Sequence, residues 1–329
     1  MIDAEIVAVL RFILEVLVYP GALFLFFSSL LVQWMTRKLY ARFQNRRGPT
    51  HTGPFGTLQP LADFLKLMFK EDITTSVSSQ RAPSFLLSLS LAALSMIPLF
   101  TPMAPWPIRF PYDAILVMYL LIIPSIALAT IGFASYNPYA VLGSSRLLTL
   151  MLGYEPAFLA SILIPLFIVF PRYEFSIFET SAKVGGLWTG ITILPLCVAF
   201  VVALISLQCK LMEKPFDIPH AEHEIVYGPY TEYSGPKLAY IRLVHDFELV
   251  VCGALMVYVL LGGPYPFSGV LGAVVVIVKF LFIVFLLTLI KAVFGRFRID
   301  QASNILWRYL ILAAALNIAV AVLLAPRAL

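Results

Sequence analysis

The sequence predicts an all-α polytopic membrane protein with about eight transmembrane helices and an amphipathic helix lying at the membrane interface. Three observations predict it. Of 329 residues, 60% are apolar and only 12% are charged, whereas a soluble domain carries about 25% charge. Mean hydropathy is +0.92, which leaves too little polar surface to coat a globule in water. The apolar residues also fall in runs near the roughly 20 residues that cross a hydrocarbon layer. A cytosolic enzyme, a disordered tail and a disulfide-stapled secreted domain are excluded together. Residues 1–329 are therefore read as one membrane domain.

Apolar stretches run Val7–Met35, Phe85–Pro102, Ala114–Ser135, Ala157–Phe170, Leu187–Leu211, Leu238–Leu261, Val270–Phe294 and Ile305–Leu324. The fourth is short, but Val141–Leu152 before it is also mostly apolar, so this helix is expected to begin earlier and take Arg146 and Glu155 into the membrane. Helices are the expected form, because hydrocarbon offers backbone groups no partner and a barrel would show alternating segments of about ten residues.

Basic residues set the orientation. Arg37, Lys38, Arg42, Arg46, Arg47, Lys66, Lys70 and Arg81 follow the first span; Arg146 follows the third, Lys214 and Lys237 the fifth, Arg296 and Arg298 the seventh. The even loops hold only Arg109, Arg172 and Lys183. Odd loops are thus placed in the cytoplasm and both termini outside. Asp3 and Glu5 occupy the place of a basic signal n-region, so the N-terminus reads as retained.

Cys197, Cys209 and Cys252 are far apart and form no CxxC pair, so no cluster or zinc site is expected on this chain. The net charge of +5 is interleaved with spans and has no aromatic platform beside it, which argues against nucleic acid. No internal repeat supports the inverted-repeat design of a secondary transporter.

Three segments on the expected cytoplasmic side carry the chemistry. The first, within residues 36–82, is punctuated by Gly48-Pro49 and Gly53-Pro54. Beyond it Gln59, Asp63, Lys66 and Lys70 share one helical face, while Leu58, Leu61, Leu65, Met68 and Phe69 fill the other. This reads as an interfacial amphipathic helix, with a helix that merely floats at the headgroups as the plainer reading. The second segment sets Arg146 and Glu155 in apolar surroundings. A central charge costs about 2.5–3.5 kcal/mol on insertion scales, so both need a partner or a task. They either satisfy each other or serve a proton path.

The third segment, residues 212–237, gathers Glu213, Asp217, Glu222, Glu224 and Glu232. Clustered carboxylates repel when ionised, so raised pKa values and shared protons are expected if the loop is more than a solvated acidic stretch. Pro215, Pro219, Gly228-Pro229 and Gly235-Pro236 fix turns along it. His220 and His223 lack the HExxH order, so no metal site is read there.

With these residues in view the chain resembles the H-type membrane subunit of respiratory complex I, the NADH dehydrogenase subunit 1 family, together with its relatives in group 4 membrane-bound hydrogenases. The resemblance covers nearly the whole chain. It rests on Arg46-Arg-Gly-Pro49 through Leu58-Gln-Pro-Leu-Ala-Asp63, on Gly143-Ser-Ser-Arg146 with Tyr154-Glu155, and on Glu213 with Pro215-Phe-Asp217, Ala221-Glu222 and Glu224. Glu232-Tyr-Ser-Gly235 and Arg296-Phe-Arg-Ile-Asp-Gln301 complete it.

The resemblance implies an eight-helix subunit between a peripheral redox arm and antiporter-like pumping subunits. It binds no cofactor itself; iron–sulfur clusters and a possible nickel–iron site belong to the hydrophilic catalytic large subunit and the iron–sulfur subunits. Glu155, Glu213, Asp217, Glu222, Glu224 and Glu232 are implied as a proton relay, with Arg146, Arg296 and Arg298 as charge partners. Arg46, Arg47, Gln59, Asp63 and Lys66 are implied as a docking loop or the lining of a quinone cavity. A charge change 4 Å away at an effective dielectric of 20 is worth about 4 kcal/mol, enough to move such a proton. Where quinone-using members read Gly-Pro-Asn-x-Val-Gly-Pro, this chain has Gly48-Pro-Thr-His-Thr-Gly-Pro54, and Ala-Glu-Tyr is replaced by His245-Asp-Phe247. Together with Glu248 and a Ser-Gly-Pro-Lys run, these look like ferredoxin-linked hydrogenase or sulfur-reducing relatives. The expected function is coupling of electron transfer, from ferredoxin, to proton or sodium movement. Quinone reduction and a self-contained transporter stand as alternatives.

Overall fold

The computed structural model describes residues 11–75, 78–79, 81–169 and 175–324. Asp3, Glu5, the start of the first expected span at Val7, the end of the fourth at Phe170, and Arg172 lie outside them.

Among the described residues, eight helices are long and apolar enough to cross a membrane: Arg11–Phe43, Arg81–Phe100, Asp113–Phe133, Pro138–Val169, Gly190–Lys210, Gly235–Leu260, Gly269–Val293 and Ile299–Leu324. The fourth does begin early and carries Arg146 and Glu155 within one helix. No strand occurs among the described residues. The regular helical pieces are α1 (Ala22–Phe43), α2 (Gln59–Met68), α3 (Arg81–Met96), α4 (Asp113–Phe133), α5 (Pro138–Val169) and α6 (Ile177–Leu187). They continue as α7 (Ile193–Lys210), α8 (Gly235–Leu255), α9 (Gly269–Val293), α10 (Ile299–Asn304) and α11 (Ile311–Leu324). A wide turn extends α8 through Leu260 and another joins α10 to α11.

The interfacial helix forms as α2, but its polar face divides. Gln59 and Asp63 turn inward, Lys66 is exposed, and the helix stops at Met68, before Lys70. The chain leaves it because Asp72 pairs with Lys237 at 3.0 Å and the Ile73 N–H donates to Ser234 Oγ at 3.1 Å, tying the first loop to the start of α8. Short α6 has no counterpart among the expected spans. Buried Asp113 fixes its start by accepting hydrogen bonds from the Ile177 N–H at 2.7 Å and Ser176 Oγ at 3.0 Å.

Helices α5 and α8 lie at the centre of the bundle and are mostly buried, whereas α9 and α11 expose most of their surface. Helix α5 packs against α4, α7 and α11, and α8 against α1 and α3. Lipid tails are as apolar as Leu, so close packing and not water exclusion holds these contacts. Gly143 shows how close: a Cβ there would lie 2.6 Å from Pro229 Cδ, so only glycine lets the Gly228–Tyr230 turn settle between α4 and α5. That turn carries the acidic loop down onto the bundle.

Candidate relay and adjoining cavity

Inside the bundle, Lys210 at the end of α7 is fully buried and faces α4, α5 and α8. An ammonium has three donors. They go to the Leu121 carbonyl at 3.0 Å, to Ser125 Oγ at 2.7 Å and to the Glu155 carboxylate. Ser125 Oγ in turn donates to Glu155 Oε1 at 2.5 Å. Glu248 from α8, also fully buried, brings Oε1 to 3.7 Å from the same ammonium. Glu155 Oε2 and both Glu248 oxygens are buried with no hydrogen-bond partner. Two carboxylates therefore share one cation. Pro156 has no N–H to give Leu152, which loosens the turn of α5 that presents Glu155.

A run of side chains leads from this triad to the loop. Glu248 Oε2 lies 3.6 Å from His245 Nδ1, and His245 Nε2 is 3.2 Å from the Tyr230 hydroxyl. His245 thus stands between the Glu248 carboxylate and the Tyr230 hydroxyl. The Tyr230 ring lies 4.8 Å from that of His220, and His220 Nδ1 is 3.9 Å from Asp217 Oδ1. Asp217 closes the run against Arg296 at 2.8 Å. Burial pushes His220 down to about 3, so it stays neutral, and burial raises the Asp217 carboxyl despite the pull of Arg296. Burial also raises the Tyr230 phenol.

Four of the loop acids each meet a partner from outside the loop. Glu213 pairs with Lys291 at 2.6 Å, Asp217 with Arg296, and Glu224 with Arg146 at 2.5 Å, while Glu232 accepts from Asn137. A partner from α5 or α9, from the Asn137 turn or from residues just past α9 meets each of these four. The expected repulsion persists between Glu213 and Asp217, where burial, and with it the Glu213 charge, raises the Asp217 carboxyl. Glu222 is exposed, and so is Arg298, which joins no ion pair among the described residues. Arg146 serves Glu224 and not Glu155; the partner of Glu155 is Lys210.

Beside the run lies a cavity of about 580 Å³, lined by Arg37, Arg46, Arg47, Gln59, Gln208, Glu213, His245, Asp246 and Lys291 among others. It joins the two loops that the sequence kept apart. Arg46, Arg47 and Gln59 line it, whereas Asp63 stands one layer back, held by Arg37 at 2.5 Å and Gln59 at 2.9 Å. Burial works to raise the Asp63 carboxyl, but hydrogen bonds from Arg37 and Gln59 outweigh it and hold the group below its usual range. Lys66 lies on the outer face and not in the cavity. Gln33 Nε2 donates to Asp246 at 2.9 Å on the inner wall.

Sequence reasoning passed over Lys210, Glu248, Lys291 and Ser125. A signal existed for the first three. Each is an ionisable residue inside or at the end of an apolar stretch, which by itself marks a group needing a partner or a task.

A family model described as NADH dehydrogenase matches residues 16–322. The chain belongs to that family. Curated relatives include the H-type subunit of NADH-quinone oxidoreductase from Pelagibacter ubique, 34% identical over 294 residues that cover 85% of each chain. Subunit 8 of the Thermus thermophilus enzyme is 32% identical over 314 residues, 89% of this chain and 81% of that one. Among solved structures, a chain of the archaeal respiratory membrane complex named membrane-bound sulfane sulfur reductase superposes with a TM-score of 0.77 at 27% identity. The match covers 94% of this chain and 99% of that chain. As a NADH dehydrogenase family member the chain is a multi-span, H-type membrane component of a complex I-type respiratory assembly.

Proposed function

We propose that this chain docks a peripheral redox arm on the cytoplasmic side of the cell membrane and couples electron transfer there to proton or sodium translocation in neighbouring antiporter-like subunits. The observation that carries this is the polar run from Arg296 and Asp217 through His220, Tyr230, His245 and Glu248 to Lys210 and Glu155. Redox events in the docked arm shift charge at the loop end. The excess carboxylate of the Glu155–Lys210–Glu248 triad answers by gaining or losing a proton, because one cation leaves one buried negative charge uncompensated. Glu213, Glu224 and Glu232 hold the loop against Lys291, Arg146 and Asn137 so that this path stays closed to bulk solvent. Glu222 and Arg298, both exposed, are left off the path.

The hydrophilic large subunit and the iron–sulfur subunits supply the redox centres, with a nickel–iron site in the hydrogenase-type case. Thr50-His-Thr52 and His245-Asp-Phe247, the positions where the chain resembles ferredoxin-linked relatives, favour a ferredoxin-type donor. A second reading, quinone reduction, is favoured by the 580 Å³ cavity and by relatives named NADH-quinone oxidoreductase. A quinone analogue that protects Arg46 or Arg47 from chemical modification in the assembled complex selects the second reading. Family membership favours either over a self-contained carrier. In the assembled complex Glu155→Gln is expected to keep electron transfer between soluble donor and acceptor while ion translocation falls at least about tenfold. An unchanged ion gradient at an unchanged redox rate would overturn the relay and leave a structural anchor.

A further inference from the structure

The surroundings of the Lys210 ammonium are those of a bound metal cation. Four oxygens from three helices converge on Nζ: the Leu121 carbonyl and the Ser125 hydroxyl from α4, Glu155 from α5 and Glu248 from α8. Carbonyl, hydroxyl and carboxylate oxygens are the donors that hard cations take. Every group is at least nine-tenths buried or belongs to a buried backbone, and three carboxylate oxygens of Glu155 and Glu248 have no hydrogen-bond partner. The nitrogen sits where a bare ion of the same charge would sit.

We propose that Leu121, Ser125, Glu155 and Glu248 form a monovalent-cation cage whose resident ion is the tethered ammonium of Lys210, so that Lys210 restricts this step of the relay to protons and excludes sodium. The proposal rests on the relay reading above. Three features support exclusion. A covalently attached cation already held in place does not lose the translational freedom that a dissolved ion gives up on binding. Displacing it would bury an ammonium whose three donors have lost their acceptors, at a cost several times that of an ordinary hydrogen bond. A proton needs no displacement, because it can add to the carboxylate oxygens that the ammonium leaves unengaged. The selectivity is therefore covalent: charge and site are kept, and only the mobility of the cation is removed.

Lys210→Ala removes the tether and leaves the cage, and Lys210→Ser adds one more oxygen to it. Both are tested in the assembled complex, with sodium chloride compared against choline chloride at equal ionic strength, by redox-driven ion translocation and by thermal unfolding. The expected result is a sodium dependence beyond that of the wild-type complex. In choline medium the variants lose about tenfold of coupled translocation, and sodium restores most of it together with a higher unfolding temperature. Lys210→Met, which fills the space with an apolar group, is not restored. If neither Ala nor Ser responds to sodium more than wild type does, including the case where neither assembles in sodium medium, the cage is overturned. The relay reading survives that result as long as Glu155→Gln uncouples, so the two failures are distinguishable.

Discussion

In the loop between α7 and α8 each paired carboxylate has a partner to itself: Glu213 has Lys291, Asp217 has Arg296, and Glu224 has Arg146. Inside the bundle Glu155 and Glu248 share Lys210. The loop pairs are partly exposed and screened by water, so each contributes about 0.2–1 kcal/mol and mainly sets direction. The inner triad is out of water. Removing its one cation strands two carboxylates, and breaking a buried pair in this way costs about 3–5 kcal/mol. Charges that each hold one partner position the loop, whereas two buried carboxylates inside the bundle depend on a single cation.

The largest break in that comparison is Lys210→Met. It is expected to lower the stability of the assembled complex by about 3–5 kcal/mol, read as a fall in unfolding temperature, with coupling lost. A loss of under about 1 kcal/mol would place the inner triad in the same class as the loop pairs.

A middle-sized effect sits at the junction, where His220 links the two regions. Its neutral form is held by burial down to about 3 against an ordinary 6.5. A depressed imidazole contributes stability above its unfolded value and loses it as pH falls from about 6.5 toward 3. His220→Gln is thus expected to flatten the acid side of the stability curve in that window while leaving the neutral side little changed. Unfolding temperature measured against pH for both forms checks the sign; parallel curves would show that His220 titrates in solvent.

The smallest effect belongs to Glu222→Gln. Its side chain is exposed, so coupling and stability are expected to stay within about 0.5 kcal/mol of wild type. A loss matching that of Glu155→Gln would bring Glu222 back onto the path and blur the division between the two regions.

Much of this was readable from the chain. The start of the fourth helix before Arg146, the turns imposed by Pro215, Pro219 and Gly228-Pro229, and the presence of a helix beyond Gly56 all follow from periodicity and turn chemistry, whereas the inward turn of Gln59 and Asp63 does not. Lys210 was less readable. It sits at the end of the apolar run Leu187–Leu211, where a lysine passes as an ordinary helix-end charge until the packing of α4, α5 and α8 around it is seen. Glu248 reads as a variation in a motif until α8 turns it toward α5. The pairing of Arg146 with Glu224 could not be anticipated from spacing, because 78 residues separate them.

The order of residues was enough to settle how many helices cross the membrane, roughly where they begin and end, and which polar segments gather charge. Hydrocarbon demands long apolar runs with every backbone group satisfied within the helix, and that demand is written locally. Which charge meets which was settled by helix packing. Glu155 and Lys210 lie 55 residues apart, and Lys210 and Ser125 lie 85 apart. Their meeting depends on the rotation and depth of four packed helices, which short-range periodicity does not encode.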